Sequence, residues 1–179
     1  MNNFLVRIEN IFRNSTSPDE LFDAFRDAIN TRVTDIDLYK ILLGNPHLSP
    51  DEIKMFAEKL TKEIPNQTFN TFMWTASVFE HQKDDYEKLE DAIKYYQRSF
   101  DHNPTNELPL IRMLGLYNFD LEMPVNKEIL DYVDSRVSSV NIKSRVYFSI
   151  ADLYKRKDNY LLAAKYLALG EKAAERERK

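Results

Sequence analysis

Residues 144–170, SRVYFSIADLYKRKDNYLLAAKYLALG, decide the fold. Tyr147, Ile150, Ala151 and Tyr154 recur at i, i+3, i+4 and i+7, which places them on one face of a helix. Five polar residues in a row, Lys155 to Asn159, interrupt the apolar pattern and mark a turn. Tyr160, Ala163, Leu167 and Gly170 then restart the helical spacing, with Ala and Gly where a neighbouring helix must approach closely. The stretch reads as a helical hairpin, and the rest of the chain as looser copies of it.

Working outward, Phe4, Ile8 and Ile11 mark a first short helix. Ser17-Pro18-Asp19-Glu20 opens the next with an N-cap hydroxyl, Pro at the first position and a capping-box Glu; Leu21, Phe25, Ala28 and Ile29 supply its buried stripe. Ile36, Tyr39, Leu42 and Leu43 share a further face, stopped by Gly44-Asn45-Pro46. Ser49-Pro50-Asp51-Glu52 then repeats the earlier tetrapeptide after 32 residues, followed by Ile53, Phe56, Ala57 and Leu60 at helical spacing. A third pair has Phe72, Met73, Ala76, Ser77 and Phe79 in its first helix, a turn over His81–Asp85, and Ala92, Tyr96 and Ser99 before Pro104. The fourth has Leu110, Ile111, Leu114, Gly115 and Asn118, a longer connection through Leu121–Pro124, then Ile129, Tyr132, Val133 and Val137. Ser77, Gly115 and Ala151 recur at equivalent places, 38 and 36 residues apart, as close helix approach would require.

The apolar, turn, Ala, aromatic and Pro spacing of residues 68–170 resembles the tetratricopeptide repeat, whose period is about 34 residues. The last pair carries it best. The third pair matches in its second half (Ala92, Tyr96, Ser99, Pro104) but lacks the family's Leu-Gly step, which Leu114-Gly115 restores in the fourth. The resemblance implies an all-α, right-handed solenoid of about five antiparallel hairpins. Residues 1–66 are expected to form degenerate repeats or a packing extension, and residues 67–179 the repeats proper with a C-terminal capping helix.

Composition narrows the function. The 179 residues are 43% hydrophobic and 30% charged, with three Gly, seven Pro and a net charge of −4, as expected of a soluble helical protein. Without a Lys/Arg run the chain is a poor nucleic-acid binder. No stretch of 18 apolar residues suggests a membrane span, so a cytoplasmic location is expected. There is no Cys, hence no disulfide framework or thiolate site. Neither a Gly-rich phosphate loop, a G-x-S-x-G elbow nor an H-E-x-x-H motif is present, and His47, His81 and His102 fall in turns or at helix ends. No catalysis, metal or cofactor is expected.

Binding is the expected activity. In a repeat array the first-helix residues turned roughly 100° from the buried stripe face the concave side. In the third pair these are Trp74, Val78 and His81; in the fourth, Arg112, Leu116 and Phe119; in the last, Arg145, Phe148, Asp152, Lys155 and Arg156. Aromatic and Arg side chains carry most of the energy in protein interfaces, so the expected partner is a protein or peptide segment of acidic character, with self-association through the terminal hairpin a further option. Leu116 and Asp152 stand where the family's carboxylate-gripping residues would need donors, so no such clamp is expected. The alternative implied by the resemblance is a small chaperone, similar in size and charge to the acidic tetratricopeptide chaperones of secretion systems.

Overall fold

The computed structural model describes residues 2–81, 86–119 and 124–179. Ten α-helices follow one another in pairs among these residues, with no strand: α1 (Asn2–Asn14) and α2 (Pro18–Asn30), α3 (Ile36–Leu43) and α4 (Pro50–Glu63), α5 (Thr68–Glu80) and α6 (Tyr86–His102), α7 (Leu108–Gly115) and α8 (Pro124–Arg136), α9 (Lys143–Arg156) and α10 (Tyr160–Glu177). The two helices of every pair pack together. Connections as short as residues 15–17 and 157–159 leave such neighbours no course but antiparallel. First helices also pack on first helices, α1 on α3, α3 on α5 and α7 on α9. No described helix is long and apolar enough to cross a membrane.

The two identical caps are solved differently. Ser49 accepts from the Glu52 N–H at 3.3 Å, while the Glu52 carboxylate accepts from the Ser49 N–H at 2.7 Å, closing a capping box. Ser17 accepts from the Glu20 N–H at 3.4 Å. The Glu20 carboxylate, however, accepts from the Ser15 hydroxyl at 2.5 Å, and Ser15 Oγ in turn accepts from the Ser17 N–H at 3.1 Å. The box expected at Ser17 is therefore opened by one extra hydroxyl placed two residues upstream.

Most apolar stripes are buried as their spacing predicts, including Ile53, Phe56, Ala57 and Leu60 of α4 and Ala92, Tyr96 and Ser99 of α6. Three expectations fail. On α10, Tyr160 and Leu167 are 65% and 47% exposed, and the buried residues are Tyr166, stacked on Tyr154 at 5.6 Å, and Gly170. α10 packs chiefly on α9, and the Tyr166 hydroxyl donates to Asp134 Oδ1 on α8 at 3.0 Å, so the buried face is the one that Tyr166 and Gly170 share. Gly115 is exposed, and a Cβ there would meet no atom within 4 Å, so its small size serves no close approach. α7 ends at Gly115 and excludes Asn118, whose N–H donates to Asn126 Oδ1 at 2.9 Å while Asn126 Nδ2 donates back to its carbonyl at 2.8 Å. Gly170 does mark a close approach: a Cβ would lie 2.5 Å from the Phe148 ring. The turn at residues 82–85 and the connection at 120–123 lie outside the described residues.

A polar joint fastens α4 to α6. The Arg98 guanidinium donates to both Glu58 carboxylate oxygens, Nη2 to Oε2 at 2.9 Å, and lies over the Phe72 ring at 4.2 Å. Nearby, Lys54 pairs with Asp91 at 2.6 Å. The Arg98 hydrogen bond holds the Glu58 carboxyl below the usual carboxylate range, against the desolvation that would raise it. A depressed folded value means the stabilisation is complete above the unfolded carboxyl value of about 4.3 and is lost as pH falls through the folded one. Both side chains are about a third exposed, which limits the contribution to about 1 kcal/mol. In urea unfolding at about pH 7 and about pH 3, the native chain should lose about 1 kcal/mol more on acidification than Glu58→Gln. Equal losses would show the pair to be idle.

Candidate interaction surface

Charge divides between the two helix sets. The five first helices, α1, α3, α5, α7 and α9, carry eight Lys/Arg against four Asp/Glu. The five second helices carry twelve against eighteen. Within an acidic protein the first helices are thus net basic, with the excess concentrated on α9 in Lys143, Arg145, Lys155 and Arg156.

The periodicity of α9 explains its exposed face. Burial of Ser144, Val146, Ile150, Ala151 and Leu153 turns Arg145, Phe148, Asp152 and Lys155 together towards solvent, and all four are exposed. Two of them also have internal duties. Arg145 Nη1 donates to Oε1 of the buried Glu107 at 2.5 Å, and the Phe148 ring covers Gly170. Asp152 and Lys155 make no ion pair within 4.0 Å among the described residues.

From the fourth pair, Arg112 is exposed and sits near the phenol of Tyr96, which donates to Glu80 Oε2 at 2.5 Å. Burial first, then Glu80, pushes that phenol far above its ordinary value, and the Arg112 charge opposes the rise. Phe119 is 39% exposed and carries the Arg156 guanidinium over its ring at 4.2 Å, so the segment that follows α7 and the end of α9 bring these residues side by side. Leu116 corrects the expectation: it is 4% exposed, because the end of α7 turns it inward as the helix stops.

Trp74 belongs to a separate spot. Its indole Nε1 donates to the Lys40 carbonyl at 2.9 Å, near the C-terminus of α3, with the Lys40 ammonium 5.7 Å from its ring centre. It is 36% exposed and borders a 340 Å³ hollow shared with Arg13, Ile41 and Pro46. His81 caps the end of α5, with Nδ1 2.6 Å from the Ser77 carbonyl; at that distance the ring nitrogen carries the proton and donates. Val78 is half-buried.

Sequence spacing missed Lys40 beside Trp74, and it missed Tyr117, Lys127 and Lys157, which gather near Phe119 and Arg156. Lys157 lay in a run of polar turn residues, and the cluster of Lys and Arg at the end of α9 was its one visible signal. Among the described residues no group of three His, Asp or Glu is placed to hold a metal ion. No family model, curated protein or solved structure matches this chain.

Proposed function

We propose that this chain is a non-catalytic interaction scaffold, a right-handed solenoid of the tetratricopeptide kind whose first-helix side is concave and binds an acidic segment of a partner protein. The observation that carries the reading is the charge division: net basic first helices, with half-exposed Trp74 and Phe148 on them and Phe119 against Arg156, and net acidic second helices. Electrostatic complementarity of this kind steers encounter and selects partners, while exposed aromatics next to cations supply contact area. On this reading the protein is cytoplasmic and needs no cofactor.

The test is affinity capture from the source cell's lysate with mass spectrometry. Arg112→Glu with Lys155→Glu reverses two charges that no carboxylate neutralises within 4.0 Å among the described residues. Arg145 is left intact, since its reversal would set a second carboxylate against buried Glu107. Loss of a partner by at least tenfold in this variant, and its retention by Lys59→Glu on α4, is the expected result. A partner captured equally by both would place the binding surface on the second helices.

A further inference from the structure

We infer that a pocket of about 620 Å³ between the end of α7, α8 and the end of α9 binds a phosphate monoester carried on a flat apolar body. The inference concerns a small-ligand site and stands independently of the scaffold reading. The volume is within the usual range for small-molecule pockets.

Three cations converge on the space, Lys127 from α8 and Arg156 and Lys157 from the end of α9. None of them pairs with a carboxylate within 4.0 Å among the described residues. Two are held by aromatic faces instead. Arg156 lies 4.2 Å from the Phe119 ring centre, and Lys157 lies 4.8 Å from that of Tyr117, whose hydroxyl also accepts from its ammonium. A cation against a ring keeps its charge unneutralised and its remaining N–H groups free to donate. Tyr117 and Phe119 tilt against each other with ring centres 5.0 Å apart, and Tyr154 adds a third ring to the lining.

Asp131 and Asp158 share the lining and reduce its formal charge to one positive, but neither is paired with a cation within 4.0 Å among the described residues. Asp158 accepts from the Tyr160 hydroxyl at 3.0 Å, and Asp131, on α8, makes no ion pair with any of the three cations. Arg and Lys donors meeting from two elements suit the several acceptor oxygens of a phosphate better than the two of a carboxylate, and the rings suit a planar body beside it.

The experiment titrates the full chain with phenyl phosphate, inorganic phosphate and phenol, followed by amide chemical shifts. Phenyl phosphate should saturate and bind at least tenfold more tightly than either fragment, with the largest shifts at Tyr117, Phe119, Lys127, Arg156 and Lys157. Arg156→Gln with Lys157→Gln, at exposed positions, should weaken it at least tenfold with the helical spectrum unchanged; Phe119→Leu should weaken it while leaving the cations in place. Phenyl phosphate binding no better than phenol, or equal binding by the double variant, would overturn the proposal. With binding in hand, a phosphotyrosyl peptide and adenosine monophosphate distinguish a modified side chain from a free metabolite as the source.

Discussion

Replacing Phe56 by Ala should lower the unfolding free energy by about 4 kcal/mol. The side chain is 1% exposed. It meets Phe25 edge-on at 5.1 Å and Phe22 at 6.4 Å between ring centres, so it joins α4 to α2. Truncation removes the transfer free energy of a whole ring and leaves a hollow walled by two other rings, whose helices are tied elsewhere and cannot close on it. Phe56→Leu, which refills most of the volume, should cost about 1 kcal/mol. Urea unfolding checks both: the midpoint should fall steeply for Ala and slightly for Leu, with the slope unchanged. A loss below about 1 kcal/mol for Ala would mean that α2 and α4 are not packed as described.

Asn45→Ala should cost about 3 kcal/mol although it removes no apolar surface. Asn45 is 4% exposed. Its amide nitrogen donates to the carbonyls of Phe12 at 2.9 Å and Ser15 at 3.0 Å, and its Oδ1 accepts from the His47 N–H at 2.8 Å. The Phe12 and Ser15 carbonyls lie at the end of α1, where a helix leaves acceptors without intrahelical partners. One side chain from the α3–α4 turn thus closes the end of α1 and shapes its own turn. Without it, buried acceptors lose their donors and bear the desolvation cost alone. Thermal unfolding should show a fall of several degrees. A change within about 1 °C would mean that water replaces the amide.

These two residues mark what the sequence discloses. Phe56 was legible because a helix packed on one side writes its buried face as a 3.6-residue period, and Ile53, Phe56, Ala57 and Leu60 obey it. All ten helices were visible by the same rule. Asn45 was read as part of a Gly-Asn-Pro stop, which it is, but nothing in that tripeptide shows a reach of 33 residues back to Phe12. The stripe of α10, Tyr160, Ala163, Leu167 and Gly170, was right at Gly170 and wrong at Tyr160 and Leu167, because the buried face is turned towards Tyr166, and a helix with apolar residues on several faces does not say which one packs. Of the buried pair Thr71 and Thr75, Thr75 satisfies its hydroxyl on the Thr71 carbonyl within the helix while the Thr71 hydroxyl has no partner among the described residues, and neither arrangement leaves a mark in the spacing.

The candidate surface was legible to the same degree. Exposure of Trp74 and Phe148 follows from their offset from the buried stripes, while Phe119 lies beyond the end of α7 and owes its exposure to no helical period. Pairings across 38 to 40 residues, Arg145 with Glu107 and Lys157 with Tyr117, have no period and leave no trace in spacing. They decide which charges remain available to a ligand, so the site needed coordinates where the helices did not.

The contact between Gly170 and Phe148 sets a rule for how this chain can diverge. The ring stands on the exposed side of α9, yet its resting place is fixed from behind by a position on α10 that has no side chain. Residues 148 and 170 are therefore one unit of variation: a lineage that gains a side chain at 170 must first shrink or displace the ring. Packing sets no such condition at Asp152 and Lys155, whereas the history of Phe148 is tied to a position on another helix.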